Sequence, residues 1–191
     1  MAHVKVVRRS MRPEEWTDLR FVWLQRGIYE EKFEITDLEI RDARQISEDQ
    51  YEYYSDEYRP LKKDDMYFTP DGTAFIRGHV QIPAHMKGKN IYFTLHTAAE
   101  MIVKINGKYV GGVDPNRERI LLNPYIDSDD LTIEIEAYNR SKPDDERNPA
   151  SLAHRGCRQI FEGAYLATIR DNVQSLVYDY ILFMDIAHSE Y

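Results

Sequence analysis

The central third of the chain alternates. In residues 73–82 the apolar-phase positions Ala74, Ile76, Gly78, Val80 and Ile82 are interleaved with Phe75, Arg77, His79 and Gln81. Ile91, Phe93 and Leu95 repeat the pattern in 91–97, as do Met101, Val103 and Ile105 in 101–105 and Leu131, Ile133, Ile135 and Ala137 in 131–137. Period two at this density places one set of side chains on a buried face and the other in solvent, which is the requirement of half-buried antiparallel strands. Asn106-Gly107 stands between MIVKI and KYVGGV, and that dipeptide takes the positive φ values of a two-residue type I′ hairpin. Pro83, Gly88, Pro115, Asn123 and Pro124 punctuate the other strand ends. Many short strands separated by turn signals predict a mainly β fold, an antiparallel β-sandwich or jelly roll.

Helical patterns flank this region. Pro13, Glu14 and Glu15 suit a first helical turn, Trp16, Leu19, Trp23 and Leu24 fall on one face, and Gly27 is a stop. The tryptophan pair is expected to pack this helix on the sheet, with sugar stacking as the other reading. In the tail, Phe161, Tyr165, Ile169, Val173, Leu176, Tyr180, Phe183 and Ala187 recur every three or four residues. They predict a helix over about 160–187, roughly 40 Å long, too apolar to stand alone. Residues 139–150 are polar, charged and contain two prolines, as a surface loop would. Three segments follow: a helical one over 1–34, the sandwich over 35–158, and the C-terminal helix over 159–191. The run YEYYSDEY at 51–58 is read as an edge strand or covering loop, with an aromatic platform for a glycan as the alternative.

Composition narrows the function classes. With 191 residues, 42 % of them hydrophobic and 30 % charged, the chain suits a folded domain with a sizeable core. A net charge of −8 disfavours nucleic acid and anionic membrane surfaces and leaves neutral sugars and protein surfaces open. The single cysteine, Cys157, excludes an intrachain disulfide and reads as a quiet thiol. No signal peptide is expected from MAHVKVVRRSMRPEE, and no apolar run reaches the roughly 20 residues of a membrane span. The expected compartment is the cytoplasm.

Chemistry-bearing patterns are sparse. His3, His79, His85, His96, His154 and His188 form no pair at helix-face spacing, and no CxxC is present. Gly111-Gly112 is followed by another turn and strand rather than a helix, so it is not a phosphate cradle. No G-x-S-x-G elbow occurs. Asp114, Asn116 and Arg117 are the candidate sugar or domain-contact residues; an Asx-type turn closing a strand connection accounts for the same residues.

Five segments carry a family resemblance. DGTAFIRGHVQIP at 71–83, preceded by EYRPLKKDDMY at 57–67, resembles the corresponding run of cytosolic-type α-mannosidases of glycoside hydrolase family 38. IYFTLHTAAEMIVKINGKYVGGVDPNRERILL at 91–122 is similar to that family's pattern, with Thr97, Glu100, Asn106, Gly107, Lys108, Gly112, Asp114, Asn116, Leu121 and Leu122 in its places. LTIEIEAYNR at 131–140 and the tail at 163–188 complete the order. Phe75 stands where the family has Trp, and the charged stretch 139–160 is an insertion. The resemblance implies a galactose-binding-like jelly roll, the non-catalytic N-terminal domain of an α-mannosidase. That domain would serve structure, assembly and the rim of an active site. It further implies a catalytic domain of the same polypeptide as partner, homo-oligomers, α-mannoside substrates, and zinc in that catalytic domain rather than here, since no H-x-D zinc motif occurs in this sequence. The alternative is a stand-alone carbohydrate-binding sandwich module, and a third reading is an interaction protein that docks through the 160–187 helix.

Overall fold

The computed structural model describes residues 20, 21, 23–65, 72–97, 99–114, 117–139 and 161–189. The chain divides into two compact units, Lys32–Thr168 and a smaller one made of Met1–Glu31 with Ile169–Tyr191.

The larger unit is an antiparallel β-sandwich. Its strands are β1 (Tyr29–Ile35, begun in the smaller unit), β2 (Asp37–Ser47), β3 (Gln50–Tyr53), β4 (Arg59–Pro60), β5 (Gly72–Gln81), β6 (Tyr92–Leu95), β7 (Glu100–Ile105), β8 (Lys108–Val113), β9 (Arg119–Leu121), β10 (Asp130–Asn139) and β11 (Ala164–Ile169), with a 3₁₀ turn at Ala84–Met86. One sheet runs β1-β11-β6-β9; the other runs β3-β2-β5-β10-β7-β8, with β4 paired to β2. The predicted alternation fixes the faces. Leu38, Ile40, Ala74, Ile76, Val103, Ile105, Ile133 and Ile135 of the seven-stranded sheet join Ile35, Phe93, Leu95, Ile120, Ala164 and Leu166 of the other in one buried core. The register Leu38↔Gly78↔Ile133↔Ile105 carries the inner face across four strands. Asn106 and Gly107 have φ of 50° and 73° and close the β7–β8 hairpin as expected. The Asn106 side chain accepts from Thr132 N at 2.8 Å and donates to Asp130 O at 3.3 Å, tying that turn to β10.

Gly78 shows why the sheet takes this shape. A Cβ there would meet Leu38 Cδ2 and the Asp37 carbonyl oxygen well inside van der Waals distance. The start of β2 therefore lies directly against β5, a close approach that only glycine permits.

The smaller unit holds α1 (residues 20, 21 and 23–26 of it described) and α2 (Asp171–Ser189). Gly27 ends α1, its N–H donating to Trp23 O and Leu24 O at 3.0 Å. Arg170 Nη1 donates to the carbonyls of Gly27 and Tyr29 at 2.8 and 2.6 Å, and Phe21 stacks on Tyr180 with centroids 5.2 Å apart. Two expectations change here. Trp23 is 65 % exposed and so is not a packing residue; Trp16 and Leu19 lie outside the described residues. The helix predicted over 160–187 begins only at Asp171, because AYLATI forms β11, paired with β6 through Ala164↔Leu95 and Leu166↔Phe93. A short apolar run satisfies a buried strand as well as a helix stripe. Gly163, at φ 99°, and the β-branched Thr168 and Ile169 favour the strand. Residues 140–160, which hold most of the expected surface loop together with His154 and Cys157, lie outside the described residues.

Candidate functional site

Two of the predicted contact residues, Asp114 and Arg117, bond to each other after β8. Asp114 N donates to Arg117 O at 3.1 Å and Arg117 N to Asp114 O at 3.0 Å. The Asp114 carboxylate accepts from Arg117 N through Oδ1 and from Arg117 Nε through Oδ2, both at 3.0 Å. Both side chains are thus engaged with each other in an Asx-type turn. Asn116 lies outside the described residues. His79 and His96, on the outward phase of the sequence pattern, pair with Asp130 and Glu118. Among the described residues no group of three His, Cys, Asp or Glu side chains could hold a metal ion.

A cleft of about 510 Å³ lies between the end of β1 with the start of β2 and the end of β5 with the 3₁₀ turn. One wall is Phe33, Glu34, Thr36 and Asp37, from the end of β1 and the start of β2. The other is His79 to Ala84 with Lys87, from the end of β5 and the 3₁₀ turn. The register pairs Asp37 with His79, which brings together side chains 42 positions apart in the chain. Phe33 shares its phase with buried Ile35 but lies beyond the core, leaving its ring 41 % exposed. The second wall is tied to Asp129 and Asp130. His79 is held by Asp130, Lys87 by Asp129, and Ile82 N donates to Asp129 O at 2.7 Å. The cleft combines one exposed ring with carboxylates, an amide (Gln81), a hydroxyl (Thr36), an imidazole and an ammonium. It offers stacking together with donors and acceptors.

A second cluster lies on the outer face of the seven-stranded sheet, where 51–58 forms edge strand β3 and the segment after it. The Arg41 guanidinium sits 3.6 Å from the Tyr53 ring centroid and 4.9 Å from that of Tyr58, and Arg77 lies 4.0 Å from the Tyr58 centroid. Tyr51 meets Phe75 edge-on, centroids 4.9 Å apart, and its hydroxyl donates to Glu136 Oε1. That bond, with some burial, pushes the Tyr51 phenol up to about 12. The ring faces of Tyr53 and Tyr58 are thus partly covered by guanidinium groups rather than laid open as a platform, while Tyr54 remains exposed.

The sequence reading missed Phe33, Asp37, Gln81 and Lys87. The one signal for Phe33 is an aromatic set between charges in EEKFEI just before a strand boundary. Nothing local marks the other three.

Among the described residues no helix is long and apolar enough to cross a membrane. No protein-family model and no curated protein matches the chain. Among solved structures, the chain is similar to a calcium-binding mutant of Bacteroides uniformis β-glucuronidase 2, at TM-score 0.45 and 16 % identity over 72 % of this chain and 18 % of that one. It is similar to the β-D-glucuronidase of Dictyoglomus thermophilum at TM-score 0.41 and 15 % identity, over 73 % of this chain and 28 % of that one. A β-glucuronidase from glycoside hydrolase family 2 gives 0.45 and 16 %, over 72 % and 18 %. The chain spans less than a third of the length of each. These findings overturn the family 38 α-mannosidase expectation: no family model matches residues 55–188, on which it rested, and the structures found are β-glucuronidases. The expectations of zinc, of an α-mannosidase catalytic domain and of α-mannosides as substrate rested on that resemblance alone.

Proposed function

We propose that the Lys32–Thr168 sandwich is a carbohydrate-binding module and that the cleft between Phe33 and Lys87 is its sugar site. The observation that carries this reading is the make-up of the cleft: one exposed ring, Phe33, lines about 510 Å³ together with Asp37, His79, Gln81 and Lys87. A pyranose has an apolar face of C–H groups and a rim of hydroxyls. It is matched by a ring to stack on and by side chains that both donate and accept. The mixed charges of Glu34, Asp37 and Lys87 suit a neutral polyol better than an ion.

The test is titration with neutral hexoses and disaccharides, followed by calorimetry and by amide chemical shifts. The expected outcome is millimolar binding to at least one sugar, with shifts at Thr36, Asp37 and Gln81. Phe33→Ala should weaken it about tenfold, equivalent to about 1.4 kcal/mol. Absence of heat and of cleft shifts across the whole panel refutes the reading.

A second reading, association with another protein surface or a second copy of this chain, is favoured by α2, where Leu176, Leu182, Phe183 and Ile186 are exposed. Sedimentation velocity over a hundredfold concentration range, about micromolar to tenths of a millimolar, tests the homo-oligomer. A strict monomer throughout removes it.

A further inference from the structure

The cation cluster on the outer sheet face contains one charge that the protein leaves uncompensated. Arg77 donates to Glu39 Oε2 through Nε at 2.8 Å and approaches it through Nη2 at 2.7 Å. Arg59 pairs with Asp42 at 3.1 Å and Arg44 with Glu52 at 2.9 Å. Glu136 accepts from Tyr51. Arg41, in their midst, has neither a hydrogen bond nor an ion pair among the described residues, and its Nε is buried without a partner. This holds in a chain with 33 acidic residues and a net charge of −8. The Nη groups of Arg41 also lack partners among the described residues but are not buried, so they, rather than Nε, are what an incoming group can reach.

The rings orient these groups. Stacking on Tyr53 at 3.6 Å, with Tyr58 at 4.9 Å, fixes the plane of the guanidinium before anything binds. A guanidinium with a fixed plane and spare N–H groups matches the two oxygens of a carboxylate in a parallel two-bond contact, which a lysine cannot reproduce. Orientation by the rings removes part of the entropy cost of making that contact. We infer that Arg41, clamped by Tyr53 and Tyr58, is a receptor for the carboxylate of a small-molecule ligand, separate from the cleft and independent of the function proposed for it.

The test uses the full chain and follows the Arg41 Nε–H resonance by NMR at constant ionic strength and pH. Sodium acetate and sodium benzoate are the probes, sodium sulfate the tetrahedral comparison and sodium chloride the control. The expected result is a saturable shift of that resonance with both carboxylates, with midpoints of roughly tens of millimolar, as for a single two-bond contact. Chloride should give none and sulfate a response at least about threefold weaker than acetate; in Arg41→Lys, compared with wild type through the backbone amide shifts of residues 41 and 53, saturation by the carboxylates should be lost. Equal responses to chloride and acetate, or no saturation with either carboxylate, make the clamp a structural strut and overturn the proposal. Saturation by sulfate without acetate overturns the carboxylate assignment. If Arg41→Lys fails to fold, as judged by circular dichroism, the wild-type titration decides alone.

Discussion

The two faces of the seven-stranded sheet are built from the same strands and held by different forces. Along β5, Ala74, Ile76 and Val80 go into a core shared with the other sheet, while Phe75, Arg77 and His79 meet rings and charges outside it. The inner face is stabilised by area removed from water, which depends on volume and shape. The outer face depends on side chains meeting at particular angles: Tyr51 edge-on to Phe75, Arg41 flat on Tyr53, Arg77 bridging Glu39 and Tyr58. A face built by burial loses much when one side chain shrinks. A face built by stacking and exposed ion pairs loses little stability from any one change, which leaves it free to carry specificity.

The largest effect is expected at the centre of the inner face. Ile133 is fully buried and pairs across to Gly78 and Ile105. Ile133→Ala should cost about 2–5 kcal/mol in urea unfolding, the lost transfer free energy together with the cavity left behind. A loss no larger than that of an outer-face truncation such as Arg77→Ala, expected at about 1 kcal/mol or less, would break the contrast between the faces.

Gly78→Ala comes next and tests packing in the opposite sense. The added methyl group has no room between Leu38 and the Asp37 carbonyl, so β2 must move. The expected cost is about 1–3 kcal/mol. Because Asp37 also lines the cleft, the same substitution should disturb the amide shifts of Thr36 and Asp37 more than that of Arg41, three residues beyond Leu38 on the same strand.

The contrast also explains what could be read from the sequence. The inner face was legible because burial imposes a period, and Leu131, Ile133, Ile135 and Ala137 spell it out within one strand. The β7–β8 hairpin was legible because Asn106-Gly107 encodes its backbone angles locally. The Asp114–Arg117 turn was legible for the same reason. Residues 164–169 were misread as helix because AYLATI suits either period, and what settles it is pairing with β6, a partner about seventy residues away. The cleft was invisible because Phe33, Asp37 and His79 converge only through the β2–β5 register. The Arg41 clamp was half visible: the tyrosines of 51–58 stood out as an aromatic run, but that their partner is a guanidinium on β2 depends on how β3 and the following segment fold back.

The smallest effect, and the most specific to the outer face, is expected at Tyr51. Tyr51→Phe keeps the edge contact with Phe75 and removes only the hydroxyl that donates to Glu136. At neutral pH the loss should be about 0.5–1 kcal/mol, toward the low end for a hydrogen bond to a charged acceptor because water competes at this partly exposed site. Alkali sharpens the measurement. The phenol pKa is about 12 in the folded chain against an ordinary 10.0, chiefly because ionisation breaks its bond to Glu136. The folded state therefore keeps its proton where the unfolded state has lost it. The stability gained from the bond is full below pH 10 and lost as pH rises from about 10 to 12. Wild type minus Tyr51→Phe, measured by urea unfolding at matched pH, should accordingly be constant from neutrality to about pH 9.5 and then fall, changing sign before about pH 12 because the phenolate faces the Glu136 carboxylate. Subtracting the variant removes the background from the other tyrosines. A difference that stays flat across that window would mean that Glu136 does not hold the phenol, and that the Tyr51–Phe75 contact alone keeps β3 against the sheet.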